Sequence, residues 1–139
     1  MVDLKEFEQK AADLRVLGMK ISIGQDTVYE KYWDEDCRRN IYSASKSFTS
    51  CAVGFAVQEG LIDLDERLMD AFKEDIPNNP DENLKKATVK DLLTMTLGQE
   101  KGFLMGKQRP RMEEQNWVKA SLAIPFVYEP GTHFVYNNV

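Results

Sequence analysis

With two cysteines and one histidine in 139 residues, the sequence has little material for a disulfide framework or a zinc site. The two thiols, Cys37 and Cys51, have no spacing that argues for a bridge. Cys51 falls in the apolar stretch 51–57 and reads as a small buried hydrophobe. His133 has no acid at a telling distance in sequence, so a histidine-based triad is not indicated and the residue reads as surface or loop. No glycine-rich phosphate loop is present. The longest apolar run, 51–57, is far short of the ~20 residues that a membrane span needs. Basic residues are in deficit, 18 against 23 acids, for a net charge of -5 and a pI near 5.0. That balance disfavours nucleic acid and anionic lipid as partners. Neither a cofactor nor a metal is expected. The polar opening 1–10 carries no secretory signal, which favours a soluble, cytoplasmic chain unless a leader has been removed.

What is present suits one globular domain, at 42% hydrophobic and 29% charged. Two acidic clusters, Asp34-Glu35-Asp36 and Asp63-Asp65-Glu66, read as solvated surface. Leu4, Phe7, Ala11 and Leu14 recur at helical spacing and predict an amphipathic helix over the first fifteen residues. Residues 19–23 and 28–33 are rich in β-formers, and Gly24-Gln25-Asp26 between them predicts a hairpin. A long helix is expected over 43–59, with Gly60 as its stop. Residues 61–72 carry a further apolar periodicity, and 76–83 reads as loop. A short helix over 88–96 begins at Thr88, with Asp91 completing a weak capping box. Residues 98–111 read as an exposed loop whose Lys101, Lys107, Arg109 and Arg111 are surface charges. Residues 117–122 predict another helix, and Pro130-Gly131 a turn from which 134–136 runs out.

Two constellations could carry chemistry. In Ser43-Ala44-Ser45-Lys46, a lysine one helical turn after a serine lies on the same face. A serine hydroxyl is a poor nucleophile until its proton is removed, and a neutral amine can remove it without any histidine. A serine at a helix start also stands near the positive end of the dipole, which favours a developing oxyanion. The competing reading makes Ser43 an ordinary helix N-cap. In Tyr136-Asn137-Asn138, residues two apart in extended chain point the same way. Tyr136 could shuttle a proton, and Asn138 could hydrogen-bond both the lysine and a substrate amide. The competing reading is a buried tyrosine followed by a turn.

Taken together, these stretches resemble the serine β-lactamase and penicillin-recognising family, on its class C, DD-peptidase and esterase side. Ile41-Tyr42-Ser43-Ala44-Ser45-Lys46-Ser47-Phe48-Thr49 resembles its first motif. Gly60-Leu61-Ile62-Asp63-Leu64-Asp65 resembles the segment after the nucleophile helix. Residues 88–98 resemble the helix leading to a threonine-rich turn, with Leu97 where serine is frequent. Pro130-Gly131-Thr132 through Phe134, Tyr136 and Asn138 resembles the second motif. Four matches in order are more specific than any one of them.

The resemblance implies an α+β, β-lactamase/transpeptidase-like fold, incomplete because later sheet strands are absent. Residues 1–60 would be the N-terminal α/β part with the nucleophile helix. Residues 61–139 would be a helical region ending at the Tyr-x-Asn motif, with the C-terminal remainder or another chain completing the sheet. It implies a serine hydrolase acting on a β-lactam, a D-Ala peptide or an ester. Ser43 would form the acyl-enzyme, Lys46 and Tyr136 would share general base and acid work, and Asn138 would hold the substrate and Lys46. The backbone N–H of Ser43 would be half of the oxyanion hole. The family's third motif, Lys-Thr-Gly or His-x-Gly, does not occur in the sequence. Loss of one oxyanion donor costs about 10²–10³ in rate. The 139-residue chain alone is therefore expected to be poorly active. The alternative function is an inactive fragment or descendant serving as an interaction module.

Overall fold

The computed structural model describes residues 3–35 and 37–138, with only the backbone of Lys107. Asp36, one of the expected surface acids, and the Lys107 side chain lie outside the described set. The fold is mixed α+β, and the chain forms two compact units, Met1–Tyr42 and Ser43–Val139.

In the first unit, helix α1 spans Lys5–Ala11 and a hairpin pairs β1 (Gly18–Ile23) with β2 (Asp26–Tyr32). The helix is shorter than its apolar spacing predicts. It stops at Ala11, Arg15 turns the chain with a φ of 55°, and Leu14 stays exposed. The hairpin loop is Gly24-Gln25, and Gly24 supplies a φ of 60°, which two-residue hairpins need. A register break between Ile21 and Ser22 leaves Val28 as an extra residue. Met19, Ile21, Tyr29 and Lys31 share the half-buried face. Helix α1 covers part of it: Phe7 meets Trp33 edge to face at 6.0 Å, while Glu8 accepts hydrogen bonds from Tyr29 at 2.8 Å and Lys31 at 2.6 Å.

A 3₁₀ turn at Tyr42–Ala44 leads into α2 (Ser45–Gln58), the first helix of the second unit. Gly60, at a φ of 70°, closes α2: its N–H bonds the carbonyl of Val57, and the N–H of Leu61 bonds that of Ala56. These two bonds are a Schellman motif, which satisfies carbonyls that the helix would otherwise leave open. Helix α3 is one turn, Leu68–Ala71. Helix α4 (Val89–Leu93) starts at Thr88, whose side chain accepts from the N–H of Asp91 while the Asp91 carboxylate accepts from the N–H of Thr88. Helix α5 (Trp117–Leu122) is capped by Asn116.

The core of this unit is Leu68, Leu84, Ala87, Leu97, Leu122 and Phe126, flanked by Met69, Phe72, Ile76, Val89, Leu92 and Val118. Short backbone pairings hold it: Leu68 N–H to Ala87 at 3.0 Å, Val89 N–H to Glu66 at 3.0 Å and Tyr128 N–H to Gly98 at 2.9 Å. Gly98 is required there, since its φ is 90° and a Cβ would collide with the carbonyl of Tyr128.

Two expectations are corrected. Cys51 is exposed, not buried, because none of the residues of α2 is buried; both cysteines are free thiols. Residues 98–111 are not a wholly exposed loop. Gly98, Gln99 and Leu104 point inward and are buried, while Lys101, Arg109 and Arg111 are at the surface. Arg109 packs over the Trp117 ring at 4.8 Å. His133 is exposed, stacks on Tyr128 with ring centres 4.1 Å apart, and shares a 2.8 Å hydrogen bond with the hydroxyl of Thr132.

Candidate active site

Ser43 lies in the 3₁₀ turn, directly after Tyr42, whose φ of 46° is in the left-handed region. A bulky residue held there costs of order 1–3 kcal/mol. The hydroxyl of Ser43 does not cap α2: the cap position falls at Ala44, and no side chain caps the helix there. Instead, Ser43 Oγ accepts a 2.6 Å hydrogen bond from the phenol of Tyr136, 93 residues later. That separation is short even for a bond between two hydroxyls. One turn into α2, the Lys46 Nζ stands 5.6 Å from the centre of the Tyr136 ring. Lys46 is half-buried, and among the described residues no carboxylate forms an ion pair with it. The three groups therefore gather within one unit.

Tyr136 reaches Ser43 because its segment is anchored on both sides. The turn at Pro130-Gly131 has Gly131 at a φ of 82°, and its N–H bonds the carbonyl of Thr96 at 2.8 Å. Val135 N–H then bonds Met95 at 2.9 Å. Gly102 lets the backbone of Tyr136 come close, since any Cβ at 102 would collide with the Tyr136 carbonyl.

Asn138 sits differently from its expected role. Its side-chain amide donates to the carbonyl of Leu104 at 3.2 Å and to Met105 Sδ at 3.1 Å. Among the described residues no hydrogen bond joins it to Lys46. Both do line one cavity of about 500 Å³, whose wall includes Val53, Phe72, Leu92 and Met95.

Sequence reading gives no role to two further residues. Asn137 is 5% exposed and Gln99 is 1% exposed. Asn137 donates to Gln99 at 2.7 Å, and Gln99 donates to the carbonyl of Ser121 at 2.7 Å. A pair of amides 38 residues apart leaves no mark in local periodicity. The signal that could have found Gln99 was its place between two glycines, in a stretch where the chain must approach itself closely.

A serine hydroxyl touched by a phenol, with an amine one helical turn on, makes a potential nucleophile with two groups able to exchange its proton. The Beta-lactamase family model matches residues 5–139, and the chain belongs to that family. Membership points to a serine hydrolase-like function. Comparison with curated proteins gives no match. Among the described residues no helix is long and apolar enough to cross a membrane, and no three His, Cys, Asp or Glu side chains are grouped to hold a metal ion.

Proposed function

We propose that the chain carries the nucleophilic half of an acyl-transfer site, acting on a β-lactam, a D-Ala peptide or an ester. The observation that carries this reading is the 2.6 Å contact between the Tyr136 phenol and Ser43 Oγ. Ser43 Oγ attacks the substrate carbonyl carbon and forms the acyl-oxygen bond. Its proton passes to the Lys46 amine or the Tyr136 phenolate, and from there to the leaving nitrogen or oxygen as the C–N or C–O bond breaks. Water then attacks the Ser43 ester, and its proton returns by the same groups to the serine oxygen. Two hydroxyls can exchange donor and acceptor roles by rotation, so the contact serves both directions of transfer. The Lys46 Nζ, 5.6 Å from the centre of the Tyr136 ring, is placed beside the phenol with which it shares the proton work. The N–H of Ser43 supplies one oxyanion donor, and Asn138 steadies the substrate from the cavity wall.

The test is hydrolysis of a chromogenic β-lactam and of short-chain p-nitrophenyl esters by the parent chain and by Ser43→Ala. Slow turnover that disappears in the variant is expected. Equal rates in the two proteins would remove the reading.

A second reading draws on α2, where Phe48 and Phe55 are exposed along a helix with no buried residue. A face of this kind suits a partner polypeptide, and the chain would then act as an interaction module. Efficient acylation of the isolated chain by a fluorescent penicillin would count against it.

A further inference from the structure

Between the two candidate site residues Tyr136 and Asn138 stands Asn137, and its side chain points the other way, into the protein. Its Oδ1 accepts from the N–H of Phe103 at 3.0 Å and from the N–H of Asn138 at 2.9 Å. Its Nδ2 donates to Gln99 Oε1 at 2.7 Å, and Gln99 Nε2 donates to the carbonyl of Ser121 at 2.7 Å. The polarity of this chain is forced from both ends. Ser121 offers a backbone carbonyl, which can only accept, so the amide nitrogen of Gln99 must face it. That leaves the Gln99 oxygen for Asn137, whose nitrogen must turn towards it. The Asn137 oxygen then faces two backbone N–H groups, which can only donate. Neither amide can flip without setting like atoms against each other in a buried place, where an unmade hydrogen bond is costly. Among the described residues, no buried side-chain nitrogen or oxygen is left without a partner.

We propose that Asn137 and Gln99 form a buried amide relay that positions Tyr136 on Ser43, with Asn137 as the positioning residue. The proposal rests on the catalytic reading of Ser43 and Tyr136 given above. Side chains two apart along an extended segment share a face, so fixing Asn137 inward turns Tyr136 and Asn138 outward together. Gly102 completes the arrangement, since the Tyr136 carbonyl packs where its side chain would be. The α5 end of the relay, at Ser121, is buried beside the core residue Leu122, so the phenol is referred to the packed part of the unit. Displacement of a reacting group by about 1 Å can cost 10²-fold in rate.

The experiment uses the full chain labelled with 3-fluorotyrosine. Its five tyrosines give separate ¹⁹F signals, and the Tyr136 line is the one missing in Tyr136→Phe. In the parent chain, Ser43→Ala should move that line, because the phenol loses its partner. In Asn137→Ala, the line should already be displaced and should no longer respond to Ser43→Ala. Labelling of Ser43 by a fluorophosphonate should fall about 10²-fold in Asn137→Ala, with no further loss when Tyr136→Phe is added. A Tyr136 line that keeps its parental response to Ser43→Ala in the Asn137→Ala chain would overturn the proposal. Losses that simply add to those of Tyr136→Phe would overturn it too. If Asn137→Ala does not fold, Gln99→Met interrupts the relay one link away. A thioether there cannot donate to the Ser121 carbonyl, so the Tyr136 line should lose its response to Ser43→Ala; a parental response in the Gln99→Met chain contradicts the relay. A parent chain that shows the ¹⁹F coupling but never labels would remove the catalytic reading and leave the positioning intact.

Discussion

Leu68 and Phe55 are both large apolar residues on helices of the second unit, yet Leu68 is 1% exposed and Phe55 is 66% exposed. Leu68 belongs to α3, a helix of four residues that could not persist alone. Phe55 belongs to α2, at 14 residues the longest helix among the described residues, which buries none of them. Length and packing are thus divided between different helices. α3 exists because the core around Leu84, Ala87 and Phe126 holds it, whereas α2 is rich in weak helix formers, carries Gly54 in its interior, is closed by Gly60, and has only Lys46, Val53, Ala56 and Val57 half-buried. The candidate nucleophile sits at the start of the less packed helix, and the phenol that reaches it comes from a segment tied to the more packed region.

The largest test of this contrast is Phe126→Ala, which should destabilise the chain by about 3–5 kcal/mol in denaturant unfolding, with Leu68→Ala at about 2–5. Thr88→Ala, which removes the hydroxyl that accepts from the Asp91 N–H but leaves the backbone bond to the Asp91 carboxylate, should cost about 1 kcal/mol. Phe48→Ala and Phe55→Ala should stay within about 0.5 kcal/mol, as substitutions at exposed positions do. A Phe55→Ala cost matching that of Leu68→Ala would break the comparison, because it would reveal packing that α2 does not display.

The smallest expected effects lie in the first unit and concern pH. Hydrogen bonds from Lys31 and then Tyr29 hold the Glu8 carboxyl below its ordinary value of 4.5. A depressed carboxyl contributes stability above that value and loses it as pH falls through the folded one. Burial, and then the bond to Glu8, push the Tyr29 phenol up to about 12. A raised phenol contributes stability below its ordinary 10.0 and loses it as pH rises towards 12. Glu8→Gln should therefore flatten the acid arm of a stability profile, and Tyr29→Phe the alkaline arm, both measured by thermal melts across pH.

Where cues are local, the sequence was legible. The hairpin turn at Gly24-Gln25, the stop at Gly60, the Thr88 cap and the bounds of α5 all follow from residues within a few positions of each other. Burial was not legible in the same way. The periodicity through Leu14 extended α1 too far, because nothing in the spacing reveals that the chain turns at Arg15. Cys51 reads as buried from its apolar neighbours in sequence, but burial is set by neighbours in space, and α2 has few. Gln99 reads as loop because its partner Asn137 lies far along the chain. For the candidate site, the Ser43–Lys46 spacing is local and visible at once. The approach of Tyr136 was legible only through the order of the family-like stretches, and the partners of Asn138 at Leu104 and Met105 were not legible at all.

The central claim is that Ser43 is made reactive by the groups gathered around it, and its most direct test is intact-mass analysis after incubation with a fluorophosphonate. The account predicts one adduct, located on Ser43 by peptide mapping, absent in Ser43→Ala and strongly slowed in Tyr136→Phe and in Lys46→Ala. Labelling spread over several serines, or a Ser43 adduct that forms equally fast without the phenol and the amine, would contradict it.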